Sequence, residues 1–379
     1  MNEVYFDNAS TTCVDADVAE LILQVMRKDY GNPSSLHSRG VQAQLLVERA
    51  QKQVLTALGA KKGQVLFTSG GTEANNLALF GTADAKKRRG NRIITTGIEH
   101  SSVLAAAREL ARRGFEVVEV APGADGIIDT EALLADCDEN TILVSVMLVN
   151  NEVGSIQPVA EIGRKLKIKS PHALLHADAV QAFGKIPLSV ASLGIDMLTI
   201  SGHKIHAPKG VGALYLAEKV RVTPLLYGGS QQGGLRPGTE SVPMVAGLGL
   251  AAKNASEQLI ENRASAQGTK QALLSGLSAL PNVVINSPEQ NCSPFLLNCS
   301  VMGYRSETLL HFLASHNIYV SSGSACSKGA HSHVLAAMKK NTREIDSALR
   351  ISLSKYSTPQ QAERFCETLA LARQSLRQA

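Results

Sequence analysis

From about residue 63 the chain alternates short runs of aliphatic and β-branched residues with stretches of helical period. The order is "QVLFT", "TEANNLALFG", "RIITT", "SSVLAAARELARRG", "FEVVEV", then "TEALLAD", "TILVSVMLV", "PVAEIGRKLK", "ALLHADA", "IDMLTI" and "VGALYLAE". Such alternation leaves little choice of architecture. A strand that returns to its own sheet through a helix does so by a right-handed crossover, so the strands lie mainly parallel and helices cover the sheet. The loops after the strands then gather along one edge, and the polar residues sit in those loops. The sequence predicts an α/β fold whose large domain, residues 15–255, has a mainly parallel sheet flanked by helices.

Past residue 250 the texture changes. "AAKNASEQLIENRASAQGTKQALLSGLSAL" reads as one long helical stretch, followed by shorter β-like runs and a closing amphipathic segment, "TPQQAERFCETLALARQSLRQA". This predicts a smaller α+β domain over residues 256–379, joined by residues 1–14 with their turn-like "DNAS". A chain of 379 residues with 44% hydrophobic content can fill both cores.

Composition excludes several classes of function. A formal charge of +5 is mild for this length and gives no case for direct nucleic-acid binding. The opening "MNEVYFDNAS" carries an acidic residue where a secretory leader carries positive charge, and no apolar run approaches the roughly 18 residues of a membrane span. A cytoplasmic protein with no membrane contact is expected. The six cysteines (Cys13, Cys137, Cys292, Cys299, Cys326 and Cys366) form no C-x-x-C pair, so neither a disulfide framework nor a metal site is expected, and most read as reduced core filler. The basic run "AKKRRGNR" reads as a solvated helix end complementing the helix dipole.

The chemistry concentrates around "LTISGHKIHAPKGVGALYL". Lys204 follows an apolar strand and is flanked by Ser201, Gly202 and His203, which let backbone approach a ligand. An amine held there, with its pKa depressed by burial or a nearby cation, is a nucleophile that condenses with an aldehyde. Three further loops supply what such a site needs. "FTSGGTEANN" brings Gly71 and Thr72 to a helix start, suited to a phosphate. "LLHADAVQAFGK" ends an apolar run with His176, Asp178 and Gln181, where a carboxylate requires a cationic partner such as a protonated pyridine nitrogen. "TTGIEHSSV" sets His100 before a helix, a ring able to stack on a flat cofactor in a chain without tryptophan. "GGLRPGTES" offers Arg236, Gly238 and Thr239 for phosphate binding or a subunit contact. Jointly these are the parts that pyridoxal phosphate requires.

With these motifs the chain resembles, along essentially its whole length, the class V, fold-type I pyridoxal-phosphate enzymes and, within them, cysteine desulfurases of the IscS/NifS type. "YFDNAST", "YGNPSSLH", "TSGGTEANN", "EHSSV", "VNNEVG", "HADAVQ", "SGHK", "LRPGTES", "SSGSAC" and "ALRISLS" occur in the family's order. The resemblance implies Lys204 as the Schiff-base lysine and Asp178 as partner of the pyridine nitrogen. It implies His100 as the stacking, catalytic ring and Gln181 as ligand of the phenolic oxygen. Gly71, Thr72, Ser201 and His203 would hold the phosphate, and Thr239 would reach the cofactor of a second subunit in a homodimer. Asn32, Asn151 and Arg350 would clamp the carboxylate of L-cysteine, with Asn151 also beside the cofactor. Cys326, among small polar residues in "YVSSGSACSKGAHSHVL", would accept sulfur as a persulfide and pass it to an acceptor protein, an iron–sulfur scaffold or a tRNA-thiolation enzyme. "GGSQQGGLRPG" departs from the family in lacking the Glu-Arg pair common before this segment. A selenocysteine lyase or aminotransferase on the same fold, and a non-catalytic hub for sulfur carriers, are the alternative readings.

Overall fold

Branched aliphatic runs pack well on a pleated surface, and where they occur the chain forms strands. The computed structural model describes residues 3–322 and 331–377. Among these residues the strands are β1 (Val4–Tyr5), β2 (Gln64–Thr68), β3 (Arg92–Thr96), β4 (Glu116–Val120), β5 (Thr141–Ser145) and β6 (Leu174–Asp178). They continue with β7 (Met197–Ser201), β8 (Gly212–Leu216), β9 (Val283–Ile285), β10 (Leu296–Val301), β11 (Ile318–Tyr319) and β12 (Ala348–Ser352).

Seven strands form one sheet in the order β2-β8-β7-β6-β5-β3-β4. Neighbours from β7 to β4 pair in parallel, and β8 runs antiparallel to both β7 and β2. The reversal has a local cause. A parallel return needs a crossover of roughly a dozen residues or more, usually a helix, whereas residues 202–211 provide only the 3-10 turn Gly202–Lys204. The chain therefore doubles back, and the turn that reverses it carries Lys204. β5, β7 and β8 are buried along their full length, as strands covered on both faces must be, while β4 at the edge is mostly exposed or half-buried. The mainly parallel sheet flanked by helices agrees with the expectation from sequence.

A second apolar core gathers Phe6, Leu273, Leu297, Leu313, Phe365 and Leu369. Around it β12, β10 and β9 form an antiparallel sheet, and β1 pairs in parallel with β11, which draws the N-terminus into this core. Phe6 meets Phe365 edge-on at 6.2 Å. The long helical stretch of the sequence is in fact two helices, Val242–Glu257 and Leu259–Ser278, divided at Gln258 (φ −95°, ψ 6°). The second packs closely on Pro359–Ser375: a Cβ at Gly276 would lie 2.5 Å from Cys366 Sγ. From β1 the chain runs on along β12, where Asn8 Nδ2 donates to Ser352 O (3.0 Å) and Ala9 N–H to Ser352 Oγ (2.8 Å). That path carries residues 9–12 to the large sheet, where Thr12 N–H donates to His203 O at 2.9 Å.

Phe6 anchors this path at zero exposure. Phe6→Ala is expected to lower unfolding stability by about 3–5 kcal/mol through lost burial and a residual cavity. Ile168→Ala, at a side chain 83% exposed, should stay within about 0.5 kcal/mol. Denaturant unfolding of the two variants checks the contrast.

Candidate active site

β2, β3, β5, β6 and β7 all end at the same edge of the sheet, and the loops beyond them enclose a cavity of about 540 Å³. Lys204, Asp178, Gln181, His100, Thr72 and Arg350 are among the residues that line it. Gly71, Ser201, His203 and Asn151 line it as well, so most of the residues singled out in the sequence converge here. Half-buried Lys204 donates from Nζ to Ala9 O (2.6 Å) and Ser10 O (2.7 Å).

Asp178 ends β6 at 4% exposure. Its Oδ2 accepts from Asn75 Nδ2 (2.7 Å) and its Oδ1 from Val180 N–H (2.9 Å), and among the described residues it forms no salt bridge. Asn75 Nδ2 also donates to Ser102 Oγ (2.8 Å), which lies 2.8 Å from His100 Nδ1, while Asn75 Oδ1 has no partner among the described residues. Asn75 and Ser102 thus tie the carboxylate to the imidazole. Neither was singled out from sequence, although "TSGGTEANN" and "EHSSV" contain them; a buried asparagine one turn beyond Thr72 was the available signal.

His100 caps the helix Ser101–Arg112, its Nδ1 accepting from Ser102 N–H at 3.2 Å. Burial holds its pKa below the usual histidine range and the Lys204 charge adds to this, against the pull of Asp178. The ring is neutral near neutral pH with its proton on Nε2. Burial, with Lys204, Lys209 and Lys185 nearby, pushes His203 down to about 4, so it too is neutral. His176 belongs to the core: it lies between Ser145 Oγ (2.8 Å) and Thr199 Oγ1 (3.0 Å), with burial pushing it down to about 3.

The helix Gly71–Lys86 opens onto the cavity, preceded by Gly70 at φ 157°. At Gly71 a Cβ would stand 3.0 Å from Val180 Cγ2 and 3.5 Å from Ser201 Cβ, in the space where an anion would meet the helix N-terminus. Arg236 is engaged elsewhere, in a two-pronged pair with Glu73 (2.9 and 3.3 Å), whose Oε2 also accepts from Ser69 N–H (2.7 Å). Where the family's Glu-Arg pair is missing, Gln232 closes its amide onto Phe67 of the edge strand β2, accepting from N–H at 2.6 Å and donating to the carbonyl at 2.9 Å. Arg350, 3% exposed on β12, donates to Asp7 Oδ1 (2.9 Å), Ser10 Oγ (2.7 Å) and Asn151 O (3.3 Å), and its Nε has no partner among the described residues.

Asn32 and Thr239 are exposed and do not line the cavity. Cys326 lies outside the described residues. Of the other cysteines, Cys137, Cys299 and Cys366 are buried, with burial pushing their thiols up to about 11, 12 and 11. Cys13 is exposed and half-buried Cys292 touches the Lys270 amine at 3.0 Å, so neither is simple core filler.

A buried carboxylate that has no paired cation and an amide oxygen that has no partner among the described residues, an amine in the same cavity and an anion cradle at a helix start fit pyridoxal phosphate. Among the described residues no helix is long and apolar enough to cross a membrane.

Two buried acids also went unnoticed in the sequence. Glu152, on the cavity wall, accepts from Ser332 Oγ at 2.5 Å, and burial raises its pKa. Glu99, at zero exposure, accepts at Oε1 from Met147 N–H (2.7 Å) and Thr96 Oγ1 (2.8 Å), and burial pushes its carboxyl up to about 8. A carboxyl raised in the folded state stabilises fully below its unfolded value of 4.5, and that contribution is lost as pH rises through about 8. Glu99→Gln keeps the acceptor without the charge. Its melting temperature should therefore fall less than that of the unsubstituted protein between pH 5 and pH 9, as read by thermal denaturation across that range.

The class-V aminotransferase family model matches residues 4–365. A cysteine desulfurase of Nostoc sp. is 40% identical over 374 residues, covering 97% of this chain and 92% of that protein. Among solved structures, a NifS-like protein superposes with a TM-score of 0.94 at 39% identity, over 99% of this chain and 100% of the other. SspA in complex with cysteine does so with a TM-score of 0.83 at 33% identity, over 94% and 100%. Full-length likeness in sequence and fold, together with the Lys204 and Asp178 site, places the chain in the class-V aminotransferase family of pyridoxal-phosphate enzymes, on its cysteine desulfurase branch.

Proposed function

We propose that the protein converts L-cysteine to L-alanine, takes the sulfur onto Cys326 as a persulfide and passes it to an acceptor protein, an iron–sulfur scaffold or a tRNA-thiolation enzyme. The observation that carries this reading is the buried Asp178 carboxylate, without a paired cation among the described residues, in one cavity with the Lys204 amine and the Arg350 guanidinium. SspA, with which the chain shares its fold, binds cysteine.

Bound pyridoxal phosphate supplies an aldehyde for amines and a ring that withdraws electrons from the substrate α-carbon. Asp178 would face the ring nitrogen and favour a proton there, as burial makes an unpaired charge costly. Gly71, Thr72, Ser201 and His203 hold the phosphate. Arg350 and Asn151 bind the substrate carboxylate, the guanidinium offering a planar fork from a rigid strand, and Asn32 belongs to the same clamp. The Lys204 amine would serve as the base for the substrate α-proton. His100, neutral and with Nε2–H available, exchanges protons at the reacting groups.

The Cys326 thiolate attacks the substrate sulfur, so that an S–S bond forms as the C–S bond breaks. The electron pair stays with the carbon skeleton, which is protonated to alanine, and no external oxidant is needed. The anchoring of the flanking residues supports this role for Cys326. Ser321 exchanges backbone hydrogen bonds with Arg350 (3.1 and 2.6 Å), Ser332 bonds Glu152, and His331 and His333 line the cavity. Exposed Thr239, next to the Gly238 turn, suits delivery to the site of a second copy in a homodimer. One apolar cluster lies wholly within residues 1–14 and 256–379 and the other two lie mainly within residues 15–255, which supports that division.

With L-cysteine and a reductant, Cys326→Ser is expected to lose sulfide release while still taking up pyridoxal phosphate and changing its spectrum on addition of cysteine. Lys204→Ala should lose both turnover and the yellow lysine-bound form. Sulfide release retained by Cys326→Ser would refute the persulfide step and favour direct lyase chemistry. Arg350→Lys keeps the charge but not the fork, so steady-state kinetics should show KM for L-cysteine rising about tenfold or more.

A further inference from the structure

Lys185 is an unexpected amine behind the site. It is 7% exposed, and the hydrogen bond that holds it among the described residues runs 3.1 Å from Nζ to Gln181 Oε1. Among the described residues no carboxylate bonds it: Asp15, across a cavity of about 30 Å³, accepts from Lys355 (2.6 Å) and Tyr356 (2.8 Å) and lies 3.6 Å from His206. Burial pushes the pKa of Lys185 down to about 7, and the charges of Lys204 and Arg350 add to this. A buried polar group with so little around it calls for an explanation.

The explanation lies in what the bond does to Gln181. Lys185 Nζ donates to Gln181 Oε1, and as an ammonium it can only donate, which turns Oε1 toward Lys185. The opposite end meets Ala9 O, an acceptor only, and Nε2 donates to it at 2.9 Å. Both ends are thereby fixed, and the second Nε2 hydrogen is the one left for the cavity that Gln181 lines. Ala9 O also accepts from Lys204 Nζ, so the Gln181 amide and the Lys204 amine are neighbours on one carbonyl. In pyridoxal phosphate the phenolic oxygen stands on the ring carbon next to the aldehyde. Once the aldehyde carbon is joined to Lys204, that oxygen is the group a donor beside Lys204 serves.

We propose that Lys185 is a positioning residue: by occupying Gln181 Oε1 it commits a Gln181 N–H to the phenolic oxygen of the bound cofactor. The inference rests on the pyridoxal-phosphate reading above. A committed donor stabilises the ionised oxygen and so lowers the pH at which the lysine-bound cofactor changes colour. Without Lys185 the Oε1 end loses its donor, and the amide is held by the Nε2–Ala9 O bond alone.

The test is a pH titration of the absorption spectrum of the cofactor-loaded protein without substrate. Lys185→Met should move the colour transition up by about one pH unit or more. Gln181→Leu should do the same, and the double variant should match Gln181→Leu alone, since Lys185 acts through Gln181. Lys185→Arg keeps the donors and should hold the original midpoint. An unmoved midpoint in Lys185→Met overturns the proposal. A Lys185→Met shift that persists undiminished in the Gln181→Leu background also overturns it, assigning the effect to the Lys185 charge alone. A wild-type protein that takes up no pyridoxal phosphate defeats the parent reading and this one with it, whereas normal colour with an unmoved midpoint defeats this one only.

Discussion

The bonds from the Lys204 amine to the carbonyls of Ala9 and Ser10 join the two halves of the molecule. Lys204 stands on the turn that reverses the chain between β7 and β8, a reversal imposed by a connection too short for a crossover. Ala9 and Ser10 arrive from the other core, on a path held by Phe6 and by Ser352 of β12. Both partners of the contact are thus fixed by packing far from the site. Arg350 extends the arrangement, since it stands on β12 and binds Asp7 and Ser10 on the same path. A shift of one core against the other would move the amine, the guanidinium and the amide of Gln181 together.

Burial then decides the charge states around the cavity. Removing water penalises every charge, so the imidazoles of His100 and His203 are neutral and the carboxyls of Glu99 and Glu152 are raised. Asp178 accepts from two N–H donors, Asn75 Nδ2 and the Val180 backbone. Among the described residues no cation is paired with it, which leaves room in the cavity for a cationic partner. The polar chain from Asp178 through Asn75 and Ser102 to His100 keeps the imidazole and the carboxylate in one fixed relation.

Much of this was legible in the sequence, for reasons specific to each element. The sheet was legible because central strands of an α/β fold must be continuous apolar runs, as β5 and β7 are. Lys204, Asp178, His100 and Thr72 were legible because each stands at or just beyond the end of a strand, where polar residue types follow an apolar run. The antiparallel course of β8 was not read, since strand direction depends on how a connection is spanned. The break at Gln258 was missed because the residues around it carry neither Gly nor Pro. Asn32 and Thr239, singled out with the others, stand outside the cavity of a single chain.

The sequence by itself determined the elements, the fold class and the chemical inventory, because periodicity and residue type are local properties that act wherever the chain goes. Only the tertiary structure decided which atoms meet. Ala9 and Ser10 enter the site through backbone carbonyls, which carry no residue-type signal. Gln232 substitutes its amide for a missing strand neighbour of Phe67 across the fold. Lys185 reads in the sequence as an ordinary lysine after a glycine, and it differs from a solvated one because neighbouring elements close over it. Burial and hydrogen-bond direction arise from packing between segments distant in the chain, and these set the charge and orientation of the groups that the sequence supplies.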